Sequence, residues 1–130
     1  MKRILFACLL TVTPASQAQV DDTSPTEGVL EYHCSDTIVV GRVESGGYEP
    51  IPDEEDRLGH GVITATITIR RVVRGQELPK IVSANYASHA SLRHDRDFML
   101  TLHKDPDGSM WITGAQLMSV RPKLAAECTS

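Results

Sequence analysis

The chain has 130 residues, of which 23% are charged, and a formal net charge of −4 at pH 7. This acidic balance argues against nucleic acid as the main partner. The length suits one domain with a single core and is too short for two.

The first 18 residues are predicted to be a secretory signal peptide. Lys2 and Arg3 precede the short apolar run Ile4–Val12, and the small residues that follow place cleavage before Gln19. This run is much shorter than the roughly 20 residues that span a bilayer, so no membrane insertion is expected. Removing the peptide takes away two basic residues and moves the net charge from −4 to −6. We therefore expect a secreted or periplasmic protein.

The cysteines point to the same compartment. Cys8 lies within the signal peptide, where an acylated lipoprotein cysteine is the alternative interpretation. Cys34 and Cys128 remain after cleavage, and an even pair in an oxidising compartment predicts one disulfide. Because the closed loop is nearly the whole domain, the chain-entropy model assigns this bond about 4–5 kcal/mol.

Residues 19–33 are mostly polar and predict a flexible N-terminal lead-in to a domain spanning residues 34–130. Within the lead-in, Leu30 and Tyr32 are expected to pack where the disulfide ties the start of the domain to its end. Five strands are predicted from β-branched residues and alternating apolar positions. They are Asp36–Val43, Val62–Arg74, Pro79–Ala87, Asp97–His103 and Met110–Val120, and Leu124–Glu127 is expected to form a helical turn.

The second predicted strand is the longest, and it places four apolar residues on one face and polar residues on the other. Its alternation breaks at Arg70–Arg71, which predicts a β-bulge. Gly41 predicts a bulge or a close backbone approach in the first strand, and Gly108 a left-handed turn before the last. A long bent strand and four shorter ones favour an all-β, small five-stranded OB-like barrel with one disulfide. A two-sheet sandwich is the alternative.

The segment Glu44–His60 is predicted to be a long connection, because it holds three glycines, two prolines and six carboxylates against one arginine. Its acidic run lacks the alternating ligands and central glycine of a calcium loop. We expect the run to steer the protein toward a basic surface on a partner, with simple solvation as the alternative. The candidate binding residues are Asp53, Glu54, Glu55 and Asp56.

A second candidate loop, Ser88–Arg96, is basic and contains histidines. It could bind an anionic group through four residues, or its charges could form ordinary surface salt bridges. The two histidines are five positions apart, which matches no usual metal-ligand spacing, so neither a metal nor a cofactor is expected. The candidates are His89, Arg93, His94 and Arg96.

Trp111 is the only tryptophan in the chain. An exposed aromatic on the open face of a small barrel can hold a ligand, which makes Trp111 a further candidate binding residue. The alternative is that the core needs this ring, since few other large aromatic residues are available.

Three strings carry a resemblance to a known family: DTIVVGRV at 36–43, ITIRRVVRG at 67–75 and DRDFMLTL at 95–102. In this order, with a long insertion after the first and a glycine-turned hairpin after the last, they resemble secreted OB-fold domains of the netrin-module type. Those domains are similar to the N-terminal domains of tissue inhibitors of metalloproteinases, whose N-terminal cysteine chelates the protease zinc. Here Cys34 lies well inside the chain, so that mechanism does not carry over.

From these features we expect an exported, non-catalytic binding or inhibitory module that acts on another exported protein through its loops. One alternative is a small periplasmic hydrolase or enzyme accessory built on the loop 88–96, where Ser88 and Ser91 lie near histidines. No Gly-x-Ser-x-Gly motif surrounds these serines. The other alternative is a structural component of a cell-surface assembly.

Overall fold

The computed structural model describes residues 28–130. The predicted signal peptide, its cleavage site and residues 19–27 of the predicted lead-in lie outside this range. No helix in the described part is long and apolar enough to cross a membrane. Its elements, in chain order, are β1 (Val29–Leu30), β2 (Thr37–Pro50), β3 (Gly61–Arg74), β4 (Ile81–Ser88), β5 (Asp97–Lys104), β6 (Met110–Leu117), a 3₁₀ helix (Met118–Val120) and β7 (Lys123–Leu124).

Strands β2 to β6 form one five-stranded sheet that closes into a ring in the order β2-β3-β4-β6-β5. Neighbouring strands are antiparallel, except that β4 and β6 meet in parallel through the pair Asn85–Trp111. Cys34 and Cys128 form a disulfide. The prediction of an all-β fold with a five-stranded ring and one disulfide is confirmed, and β1 and β7 form an additional two-stranded sheet.

Strand β3 is the long bent strand that the alternation predicted. Its apolar face is buried inside the ring, where Ile63 and Ile67 are 3% and 0% exposed. Along β2, Val40 pairs with Arg71 and the next residue, Gly41, pairs with Ile69, so Arg70 is the extra residue of a bulge, as predicted. A Cβ atom on Gly41 would lie 2.7 Å from the carbonyl oxygen of Thr68, which confirms the close backbone approach.

The prediction that Glu44–His60 is a connection is wrong over its first half. Strand β2 continues to Pro50, and its second half pairs with the start of β3. A register shift between Ser45 and Tyr48 shows that the intervening glycines belong to a bulge and not to a loop. The true connection is 51–60, so the β2–β3 hairpin is longer and its loop shorter than predicted.

Two apolar clusters lie on opposite sides of β2 and β5. The inner cluster fills the ring and includes Val39, Val43, Ile67, Leu100 and Leu102. The outer cluster lies between these two strands and a covering layer made by β1 and β7, which pair in parallel. Its buried members are Leu30, Tyr32, Ile38, Val40 and Met99, with Cys128 packed against them.

The covering layer shows how the segments before β2 and after β6 are packed. Leu30 and Tyr32 are 4% and 6% exposed, so they pack near Cys128 as predicted. Residues 29–33 are therefore part of the packed domain, although the sequence assigned them to the lead-in. The predicted helical turn at Leu124–Glu127 is wrong, because the Ala125 amide donates to the Leu30 carbonyl at 2.9 Å and extends the pairing of β7 with β1. The last ring strand ends at Leu117, three residues earlier than predicted.

Candidate functional site

The ring has two ends, and each carries an aspartate–histidine pair. The loop end consists of the connections 51–60 and 89–96, which lie together because Gly61 at the start of β3 pairs with Ser88 at the end of β4. The disulfide end consists of residues 33–36, 103–105 and 128–130, and lies where β2 begins and β5 ends. The loop end contains eight of the nine binding residues that the sequence predicted, all except Trp111. The disulfide end was missed.

Asp56 organises the first connection of the loop end. Its Oδ1 accepts hydrogen bonds from the amides of Leu58 and Gly59 at 3.0 and 3.2 Å. Its Oδ2 lies 2.7 Å from both the amide nitrogen and Nδ1 of His60. The hydrogen bond from the His60 amide, followed by that from its ring, holds the pKa of Asp56 below its ordinary value. Asp56 is thus needed for the shape of the loop.

The four predicted acidic residues therefore divide into two kinds. Asp53 also has a local role, since its Oδ1 accepts the Glu55 amide at 3.0 Å and its carbonyl accepts the Asp56 amide at 3.1 Å. Asp–backbone bonds of this kind stabilise tight turns. Glu54 and Glu55 are exposed. These two glutamates are the carboxylates of this run that remain available to a partner.

Large apolar side chains are exposed on the same hairpin. Tyr48, Ile51 and Leu58 are 52%, 42% and 68% exposed. The Tyr48 hydroxyl donates to the carbonyl of Gly59 at 2.6 Å, which fixes the ring across the hairpin. A Cβ atom on Gly61 would collide with this ring, so the absence of a side chain at Gly61 makes room for Tyr48. The hairpin tip thus combines exposed apolar groups, of which Tyr48 is held by a hydrogen bond, with negative charge.

The second connection, 89–96, is a loop as predicted, and its position beside the first brings the predicted candidate His89 against His60. The His89 ring meets the His60 ring edge-on, with the ring centroids 5.2 Å apart. Arg93 donates to both carboxylate oxygens of Asp95, at 3.0 and 2.9 Å. This pairing raises the pKa of Arg93 and lowers that of Asp95. The charge of Arg93 is therefore largely compensated within its own loop. The remaining histidine of this loop, His94, is exposed.

Arg96 and Trp111 lie apart from this pair of histidines. Arg96 lines a cleft of about 250 Å³ together with Arg42 and Asp97, which are joined by a 3.0 Å ion pair. Trp111 belongs to neither apolar cluster, is half-buried, and donates from Nε1 to the Ser109 hydroxyl at 3.2 Å. The structure therefore does not bring all nine predicted binding residues into one site.

At the disulfide end the central residue is Asp36, whose side chain is 0% exposed. Its Oδ2 accepts the amide of His33 at 2.7 Å, and its Oδ1 lies 2.7 Å from Nδ1 of His103. A buried carboxylate needs such partners, because an unpaired one is costly to bury. The His103 side chain is 33% exposed, so part of it is open to solvent.

His33 completes this second cluster. Its Nδ1 lies 3.0 Å from the hydroxyl of Thr129, and its ring centroid lies 5.8 Å from that of His103. Both rings line a cavity of about 490 Å³ with residues next to the disulfide, Ser35 among them. The sequence placed His103 at the end of a predicted strand, as the structure does, but named neither His33 nor His103 as a binding candidate.

Comparison with known proteins identifies no relative. No family model, no curated protein and no solved structure matches the chain. Among residues 28–130, no three or more His, Cys, Asp and Glu side chains are already arranged to hold one metal ion.

Proposed function

We propose that this protein is an exported, OB-like binding module that recognises a basic, partly apolar surface of another exported protein through its loop end. The observation that carries the proposal is the β2–β3 hairpin tip, where three exposed apolar side chains lie beside Glu54 and Glu55. Exposed apolar patches with polar rims are typical of protein interaction sites.

The OB-like assignment is supported by the order of the strands. A five-stranded Greek-key barrel with long, bent first strands is typical of that fold, and the ring order β2-β3-β4-β6-β5 agrees with it. Export is supported by the disulfide, which persists in oxidising compartments, and by the predicted signal peptide. The resemblance to netrin-type inhibitor domains adds inhibition as one possible consequence of binding.

The shape of the hairpin favours a role in contact with a partner. Strand β2 pairs with β5 only from Thr37 to Arg42, whereas it pairs with β3 as far as Pro50. The second half of β2 therefore extends beyond its pairing with β5, whereas β4 flanks β3 as far as Gly61. Apolar groups at the centre of an interface supply most of the affinity, and charges at its rim mainly supply steering. Tyr48, Ile51 and Leu58 suit the first role, and Glu54 and Glu55 the second.

The first test is capture of a partner from periplasmic or secreted extract, followed by binding kinetics with the purified partner. Glu54→Gln with Glu55→Gln should slow association severalfold at low salt and much less at high salt, because exposed charges are screened within about 10 Å at 0.1 M. The matched control is Glu77→Gln with Glu127→Gln, which makes the same charge change on exposed residues away from the loop end. Asp53 and Asp56 are left intact because they shape the loop.

The second variant tests the apolar half of the surface. Leu58→Ser should raise the dissociation rate at every salt concentration, because it removes exposed apolar area without changing charge. Association and dissociation rates that are unchanged in both the glutamate double variant and Leu58→Ser would contradict the proposed surface. Turnover of model esters or glycans without any partner would favour the hydrolase alternative, and incorporation into a large envelope complex the structural one.

A further inference from the structure

At the disulfide end, a hydrogen bond determines which ring nitrogen of His103 carries the proton. An ionised carboxylate only accepts hydrogen bonds, so the 2.7 Å contact between Asp36 Oδ1 and His103 Nδ1 requires a proton on that nitrogen. In the neutral ring the other nitrogen, Nε2, then carries a lone pair. Asp36 is held by the His33 amide on its second oxygen, so the orientation of the His103 ring is fixed from behind.

The hydroxyl of Thr129 supplies an oxygen acceptor beside His33. This oxygen lies 3.0 Å from Nδ1 of His33 and 3.4 Å from the carbonyl of Tyr32. A hydroxyl has one proton and two acceptor lone pairs, so it can accept from Nδ1–H of His33 while its own proton points to the Tyr32 carbonyl. In that tautomer Nε2 of His33 carries a lone pair, as Nε2 of His103 does.

The two rings are spaced as two ligands of one metal ion are. With metal–nitrogen bonds of about 2.0–2.1 Å, imidazoles on one ion have their centroids roughly 5–6 Å apart. The observed separation is 5.8 Å, and both rings line the same cavity of about 490 Å³. His103 Nε2 also lies 3.9 Å from Asp105 Oδ1. A small movement of the β5–β6 turn would bring this carboxylate oxygen to the same ion.

We propose that the disulfide end binds a divalent transition-metal ion of the zinc and copper type through His33 Nε2 and His103 Nε2. Imidazole nitrogen is a preferred ligand of these ions. A histidine that binds metal usually donates its other N–H to a carboxylate or another oxygen acceptor. Asp36 is such an acceptor for His103, and the Thr129 hydroxyl can be one for His33. Two protein ligands leave open positions for Asp105, water or a ligand. The site is separate from the loop end and from the function proposed for it.

The pair His33 and His103 is better suited to binding a metal ion than the pair His60 and His89 at the loop end. His60 and His89 lie even closer together, at 5.2 Å, but they meet edge-on in exposed connections. The amide of His33 and the ring of His103 both contact buried Asp36, and the disulfide at Cys34 links the residue next to His33 to the end of the chain. A prearranged pair of ligands loses less conformational entropy on binding than a mobile pair does.

The test is calorimetric titration of zinc chloride, and separately of copper sulfate, into the disulfide-intact exported protein without a histidine tag. Saturable binding of one ion per chain is expected for at least one metal. His33→Gln and His103→Gln should each weaken it at least about tenfold. The matched control, His60→Gln with His89→Gln, should leave the affinity unchanged. Circular dichroism and intact mass verify that each variant keeps its fold and its disulfide.

Asp36→Asn separates proton placement from folding. The asparagine can still accept the His33 amide, but its NH₂ group would donate to His103 Nδ1 and move the ring proton to Nε2. Binding should then fall about 10–100-fold, and ¹⁵N spectra of the histidine rings should report the changed tautomer without any metal present. Absence of saturable binding, affinity that is unaffected by both His33→Gln and His103→Gln, or loss of binding only in the control variant would overturn the proposal.

Discussion

The two ends of the ring contain the same local interaction in different settings. At each end one aspartate accepts a histidine amide at 2.7 Å and contacts a histidine Nδ1 at 2.7 Å. Asp36 links two segments that are 67 residues apart in the chain, whereas Asp56 and His60 are four residues apart. The Asp36 side chain is completely buried, and that of Asp56 is 12% exposed.

This difference indicates how the two ends can function. Interactions between distant segments are lost only when the packed domain opens, whereas a loop held by its own backbone can rearrange locally. The disulfide end is therefore suited to holding a small ligand in fixed geometry. The loop end is suited to adapting to the surface of a protein partner.

The largest effect should come from removing the covalent link of the disulfide end. Cys34 and Cys128 are separated by 94 positions, and a closed loop of this length contributes about 4–5 kcal/mol in the chain-entropy model. Replacing both by Ser should lower the melting temperature by well over ten degrees, at about 4–8 °C per kcal/mol for a domain of this size. A melting temperature within a few degrees of the parent protein would show that the covering layer holds without the bond.

The next largest effect should distinguish the two aspartates. Asp36→Ala removes two contacts of a buried carboxylate and should reduce the free energy of unfolding by about 2–4 kcal/mol. Asp56→Ala removes contacts within one surface loop and should leave the urea midpoint at pH 7 nearly unchanged. The two variants are comparable because each loses a histidine amide bond and a histidine Nδ1 contact, and Asp56→Ala also loses the bonds from the Leu58 and Gly59 amides. Equal losses of stability would contradict the distinction between the two ends.

A smaller, local effect is expected at low pH. The pKa of Asp56 is lowered from its ordinary value of 3.8, chiefly by the hydrogen bond from the His60 amide. The carboxylate therefore stabilises the loop above pH 3.8, and this contribution is lost as the pH falls through the lower folded-state pKa. An NMR titration should show the amide signals of Leu58, Gly59 and His60 shifting with a midpoint below 3.8. A midpoint at or above that value would contradict the observed hydrogen bonds.

Much of the ring could be predicted from the sequence, because its strands follow local rules. The alternation in β3, the bulge at Arg70 and the left-handed Gly108 (φ +90°) all have local causes. The second half of β2 could not be predicted, since its glycines and carboxylates are typical of loops and are tolerated only because β3 pairs with it. A strand can form there because the bulge accommodates the glycines and because the carboxylates are exposed to solvent.

Two apolar runs in the sequence indicate the covering layer, although the predicted fold did not include it. The segments 37–43 and 98–102 are nearly continuous apolar runs, whereas a strand with one wet face alternates. Such runs indicate burial on both faces, and both faces of β5 and of the first half of β2 are in fact covered.

The candidate sites differ in the same way. The loop end was predicted because its charges are adjacent in the chain, so composition alone points to it. The disulfide end joins His33, Asp36, His103 and Thr129 only through the pairing of β2 with β5 and of residues 33 and 129. No spacing in the sequence brings these residues together. The position of Asp36 two residues after Cys34 was the available signal.

Native-state hydrogen exchange of the amides of His33 and His60 tests the contrast between the two ends most directly. Each amide donates to an aspartate oxygen at 2.7 Å, so the hydrogen bond itself is matched and only its setting differs. The His33 amide should exchange only through opening of the domain, and should be protected roughly 1,000-fold or more beyond His60, whose loop opens locally. Equal protection of the two amides would contradict the account.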